Sequence, residues 1–291
     1  MQSLLSMLSI MWLPFIACLV LVTILAYLGI HILTRGVIFV DLALAQIAAL
    51  GSTVAALLGH ELDSGVAFAL GLGFTFVGAA VFAFSRVRYN GVPQEAIIGV
   101  TWAVASSAAI LTLSKAPHGA EDIRSLLVGS ILWVKPLDVL RMAGVYAAVG
   151  TFHWFQRRRF FRITLDPEGA VREGLRVRLW DFLFYASFGV VVTTSVKMAG
   201  VLLVFSFLIV PSIVGVLFAG GIRGRLLLGW VVGWLVSIVG CVISYRADLP
   251  PGATVVCTFG VVLLAALLVR RMRNLESAWA PAHAAGPDPG R

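Results

Sequence analysis

Charge is scarce in this chain. Asp, Glu, Lys and Arg together make up 12% of its 291 residues, against about 25% in a soluble domain, while 60% of the residues are hydrophobic. That balance excludes a soluble globular fold and implies an integral membrane protein. Acids are the scarcer sign, 14 against 22 bases. The bases, however, fall in short clusters between apolar runs, which marks membrane topology and argues against a nucleic-acid-binding stripe. Cysteine is nearly absent. Cys18, Cys241 and Cys257 stand apart in apolar runs without CxxC spacing, which excludes a disulfide framework and a thiolate metal site. Neither GxxxxGKS nor GxxxxGKT occurs, so the chain binds no nucleotide through a P-loop. No Lys or Arg precedes the first apolar run, which predicts that no signal peptide is cleaved.

What is present is a series of apolar runs. A hydrocarbon core about 30 Å thick needs about 20 helical residues, and nine runs meet or approach that length: 10–33, 37–59, 65–84, 95–114, 136–155, 180–196, 199–219, 226–245 and 253–269. The sixth is short, and only Lys197-Met198 separates it from the seventh, so one of the two is expected to be re-entrant or broken. The fold class is therefore an all-α polytopic membrane protein of eight to nine transmembrane helices. Assigning alternate sides to the nine runs places fifteen Lys and Arg on one side and six on the other. The richer side is the cytoplasm, which puts the N-terminus outside and the C-terminus inside.

Residues 1–273 form the membrane domain, and the Ala/Pro/Gly-rich stretch 274–291 reads as a disordered tail. Residues 115–135 predict a short helix at the outer boundary. Residues 157–179 make the largest cytoplasmic element. In it, Asp166-Pro167-Glu168 has the form of a helix start and Gly174 that of a stop.

Polar residues inside the runs are the candidates for function. In Phe39–Gly59, helical spacing puts Asp41, Ala45, Ala48, Ser52 and Ala56 on one flank, with Gln46, Ala49 and Thr53 beside them. An acid and an amide in lipid are costly unless they face protein or a water-filled path, so this flank reads as the lining of a polar passage. Asp41 is the candidate metal contact, since carboxylate oxygens suit divalent cations; its plainer reading is a carboxylate snorkelling toward Arg35. Glu95 opens the fourth run, where the helix dipole favours a carboxylate with no further role. His31 and His153 read as boundary residues, and the His60, Glu61, Asp63 turn and the His118, Glu121, Asp122 group as solvated loops. Pro211 removes a helical hydrogen bond and is expected to bend or break the seventh run. Pro250-Pro251-Gly252 presets the start of the ninth.

Three stretches, in this order and spacing, resemble the permease subunits of the ABC-3 family, importers of zinc, manganese or iron: VDLALAQIAALG, QEAIIGV at 94–100, and AGVLLVFSFLIVPSI followed by DLPPGAT. The likeness runs from about residue 20 to 270. The DPEGAVREGLRV segment resembles the family's DPE…A…GL pattern. That likeness implies a coupling helix in which Asp166, Pro167, Glu168, Ala170, Gly174 and Leu175 meet an ATPase, with Val171 and Glu173 in place of the usual Arg and Leu. Where the family follows its acid four residues later with His, this chain has Ala45; aligned on Gly51, Gln46 takes the His position.

The resemblance implies the membrane-spanning subunit of an ATP-driven importer of divalent metal ions in the bacterial cytoplasmic (inner) membrane, not itself an enzyme. Asp41, Gln46, Ser52, Glu95 and Pro211 would border the path. ATP would bind the partner ATPase, and no cofactor or nucleic acid would bind this chain. The other partners would be an extracytoplasmic metal-binding protein and a second permease, identical or similar. Two alternatives are a proton-coupled secondary transporter that uses Asp41 as its carrier residue and a non-transporting membrane scaffold.

Overall fold

The computed structural model describes residues 2–62, 64–86, 92–114 and 131–284, with side chains over 10–273 apart from Trp133. Of the stretch 115–135, expected to hold a short helix, only 131–135 is among these residues; Asp63 and the group His118, Glu121, Asp122 lie outside them.

The described residues form helices joined by short turns: α1 (Gln2–Arg35), α2 (Val40–Leu57), α3 (Gly65–Ser85), α4 (Gln94–Leu113), a 3₁₀ turn (Ile131–Trp133), α5 (Pro136–Phe155), α6 (Arg157–Leu165), α7 (Pro167–Arg172), α8 (Val177–Ala199), α9 (Val201–Phe218), α10 (Ile222–Ala247) and α11 (Pro251–Ala284). Among the described residues, eight helices are long and apolar enough to cross a membrane. They are α1 to α4 and α8 to α11. The twenty-residue α5 matches them in length but carries Asp138, Arg141 and His153. All nine predicted runs are therefore helices. The last continues to Ala284, past the boundary at 273 where the sequence reads as a tail.

Two groups of helices divide the bundle. Helices α2, α3, α4 and α8 pack together, and α1, α9, α10 and α11 form the second group. Helix α5 and the short α6 bridge α1 and α8. The chain passes between the groups at Gly200, whose backbone (φ 78°, ψ 160°) is open to glycine and strained for any other residue. Neither of the two runs is broken: α8 and α9 are continuous helices, each long and apolar enough to cross a membrane, and α9 runs through Pro211, which is buried and packs its ring and carbonyl against Gly229 and Gly233 of α10. Helix α8 is also longer than the short sixth run, because Val177 to Leu179 continue it beyond the apolar stretch.

Small residues bring α2 and α3 into backbone contact. A Cβ on Gly51 would lie 2.6 Å from the Leu70 carbonyl oxygen and 2.9 Å from the Gly71 Cα. Gly51→Val is therefore expected to lower stability by about 1–3 kcal/mol, read as a lower Tm of the detergent-purified protein. Gly73→Ala in α3, where a Cβ meets nothing within 4 Å, is the matched control and should leave Tm unchanged.

Candidate functional site

Asp41 sits in the first turn of α2 and is 2% exposed. It does not snorkel: burial holds it inside the bundle, and its Oδ1 has no hydrogen-bond partner. The N-cap of α2, Phe39, has no side-chain cap of its own. Glu95, in the first turn of α4, supplies one, since its Oε1 accepts the Phe39 N–H at 3.0 Å. Its Oε2 is buried without a partner. Two carboxylates thus converge on one helix N-terminus, within electrostatic reach of each other, where the dipole favours negative charge. Each keeps a free oxygen. Oxygen donors of this kind suit hard divalent cations. Among the described residues no three His, Cys, Asp or Glu side chains gather closely enough to hold a metal, so the pair by itself is not a closed cage.

The remaining path candidates are placed elsewhere. Gln46 is half-buried and stands five positions from Asp41, roughly 140° around the helix, so it does not join the carboxylate pair. Ser52 donates to the Ala67 carbonyl at 3.2 Å, and Ala48 lies against Gly71. The small flank predicted to line a passage is, within the protomer, the surface on which α3 packs. Pro211 belongs to the α9–α10 contact.

The same end of the bundle holds a polar cluster that no local pattern announces. Asp181 of α8 accepts from Arg35 at 2.8 Å and from Arg86, tying α8 to the ends of α1 and α3. The Arg35 side chain and Asp181 are each 1% exposed. Arg35 also donates to the Thr164 hydroxyl at 3.0 Å and lies 3.9 Å over the Phe184 ring, and Arg86 donates to the Ile163 carbonyl at 3.2 Å. His31 meets Thr164 at 2.9 Å, and His153 meets Ser187 at 2.9 Å and Tyr27 at 3.3 Å. Both histidines lie in the last turns of their helices and are fully buried there. Together these bonds anchor α6 to α1, α3 and α8.

Helix α6 carries the predicted coupling element. Helix α7 starts at Pro167, as the sequence reads, because the Asp166 carboxylate caps it by accepting the Gly169 N–H at 2.8 Å. The turn after it closes with Gly174 at φ 80° and with the Leu175 N–H on the Ala170 carbonyl at 3.0 Å. Arg162 of α6 reaches across this hairpin. It bonds Asp166 at 3.0 Å and holds Glu173 through both carboxylate oxygens. Glu173, one of the two departures from the family pattern, is therefore the outer jaw of a clamp.

The capping bond from Gly169, followed by Arg162, holds the Asp166 carboxyl below the usual carboxylate range. The Arg162 hydrogen bonds do the same for Glu173. Folded-state values below the unfolded ones mean that the clamp is fully formed above the ordinary carboxylate range, about pH 4, and is lost as pH falls through the depressed values. Arg162→Gln should open it at neutral pH. Amide exchange at Gly169 and Leu175 should then rise severalfold while global Tm barely moves, since these groups are exposed and screened.

The sequence matches the model of the ABC 3 transport family over residues 7–270. The manganese import system permease ScaB of Streptococcus parasanguinis is 27% identical over 73% of this chain and 78% of its own length. ScaB of Streptococcus pneumoniae is 27% identical over 77% and 83%. Among solved structures, a chain of PsaBC from Streptococcus pneumoniae in complex with Fab superposes with a TM-score of 0.74 at 21% identity, covering 92% of this chain and 95% of that one. At that identity the likeness concerns the fold.

Proposed function

The chain belongs to the ABC 3 transport family, and from that premise we propose that it is the membrane-spanning permease subunit of an ATP-driven importer of a divalent metal ion in the bacterial inner membrane. The observation that carries the reading is the family match, which spans nearly all of the membrane domain in a chain without a P-loop of its own. A permease of this class takes its energy from a docked ATPase. The clamped hairpin α6–α7 is the surface offered to it, with Glu168 exposed on the docking helix and Leu175 just beyond it, whereas Ala170, expected at the contact, is buried and faces the protein. Through α6, movement there reaches Arg35, Asp181 and Arg86, and with them the ends of α1, α3 and α8.

The metal would cross as substrate. Asp41 and Glu95 would meet it near the end at which α2 and α4 begin, and water or a second permease chain would complete its shell. A carboxylate pair with no imidazole beside it favours a hard ion such as manganese over zinc. An extracytoplasmic binding protein would deliver the ion at the other face.

Co-expression with the ATPase of the same system tests the assignment. Purification through this chain should bring the ATPase with it, and manganese should stimulate hydrolysis. A chain that purifies alone and moves metal on a proton gradient would instead identify a secondary transporter.

A further inference from the structure

A groove of about 520 Å³ runs along the outside of the bundle between α1, α5 and the first turns of α10. Most of its wall is apolar, as at Ile24, Ala147, Gly150 and Leu226. It turns basic where α5 ends and α10 begins, at Arg157 and Arg223. Trp154 flanks that mouth, and Trp230 stands two turns further along α10, where its Nε1 donates to the Thr23 carbonyl at 2.9 Å. The Arg157 guanidinium lies 4.4 Å over the Trp154 ring and donates to the Trp154 carbonyl at 3.1 Å, so its charge is held at the mouth. None of the lining residues is an acid. At this end of the bundle Asp166 and Glu173 are engaged by Arg162, and Asp181 by Arg35 and Arg86.

A hydrocarbon slot with two cations at one mouth matches the form of one molecule in particular. We propose that the groove binds a phospholipid with an anionic headgroup, its phosphate between Arg157 and Arg223 and an acyl chain along Ile24, Gly150 and Ala147. Basic pockets between membrane helices recognise anionic headgroups in this way, and aromatic side chains hold the interfacial level. A zwitterionic lipid would set its ammonium beside two guanidiniums. A second copy of the chain would bring the same arginines to the same end. Charge complementarity therefore selects the anionic lipid.

Native mass spectrometry of the purified full chain, delipidated and then given phosphatidylglycerol or phosphatidylcholine, tests this. Phosphatidylglycerol should be retained at one molecule per chain and raise Tm, and phosphatidylcholine should bind at least tenfold more weakly. Free inorganic phosphate should change nothing. Two variants remove the site by different routes. Arg157→Gln with Arg223→Gln removes the charge. Gly150→Leu fills the slot, where a Cβ has only the Ile24 Cδ1 near it, at 3.9 Å. Each should lose phosphatidylglycerol retention while eluting as the parent does. Equal retention of the two lipids, or undiminished phosphatidylglycerol binding in the double arginine variant, overturns the proposal. So does a disulfide-linked dimer through Ala147→Cys in a Cys257→Ser background, because a second copy would then cover the groove.

Discussion

Asp181→Ala is expected to destabilise the protein by about 3–5 kcal/mol, the cost of leaving a buried charge unpaired. The physical reason is the imbalance of the cluster. One carboxylate faces two guanidiniums, and the Arg35 side chain is as deeply buried as Asp181 itself. Removing the acid leaves Arg35 against the Phe184 ring with the neutral Thr164 and Tyr185 hydroxyls as polar partners and no counter-charge. The ends of α1, α3 and α8 then lose their common tie, and α6 loses its footing. The expected readout is a sharply lower yield of monodisperse protein and a large fall in Tm. Asp181→Asn keeps the shape and one acceptor and should fall between the two. Adding Arg35→Met to Asp181→Ala removes the uncompensated charge and should recover part of the loss, a coupling that a double-mutant cycle measures. If Asp181→Ala retains the parent's Tm, the cluster contributes no net stability and the anchoring role assigned to it is wrong.

Asp41→Ala is expected to have the larger effect on transport and little on assembly. Its carboxylate is buried with a free oxygen, a costly arrangement in a membrane helix unless something charged passes there. Initial uptake of manganese should fall by at least roughly tenfold, the scale on which loss of a group supporting a metal site is felt. The ATPase should still co-purify, since α6 and α7 are untouched. Asp41→Asn should be as inactive as alanine if charge is the requirement. Glu95→Gln separates the two duties of Glu95, because the amide oxygen still caps α2 through Phe39 while the charge is gone. Tm should hold while uptake falls. Full uptake by Asp41→Ala would place the path elsewhere and leave the carboxylate pair as a helix cap alone.

Much of the fold could be read from the chain because hydrophobic runs and backbone punctuation are local. The nine runs became nine helices, Asp166-Pro167 started α7, Gly174 ended its turn, and Pro251 opened α11. The junction between the sixth and seventh runs was legible, but the break expected inside one of them is absent. A proline invites a break, yet α9 continues through Pro211, which packs against Gly229 and Gly233, and the glycine conformation at Gly200 takes the turn. Small residues on α2 showed that something comes close. Spacing on a single helix does not reveal whether that neighbour is water or α3, and here it is α3. The Arg35–Asp181–Arg86 cluster could not be read at all. Asp181 lies 146 residues from Arg35 and 95 from Arg86, and only the tertiary fold brings them together. His31 and His153 were rightly placed near the ends of their helices, but their partners Thr164 and Ser187, which come from other helices, could not be read. For the carboxylate pair, both members were singled out, but nothing in the sequence showed that Glu95 caps the helix that carries Asp41.

Uptake into proteoliposomes is the most direct test of the central claim. The purified chain is reconstituted with its ATPase and binding protein, with ATP supplied on the ATPase side. Manganese should accumulate only with ATP, accumulation should stop when the ATPase is omitted, and it should be lost in Asp41→Ala. Accumulation that proceeds without ATP or without the ATPase, or no accumulation of any divalent metal by the complete assembly, would contradict the claim.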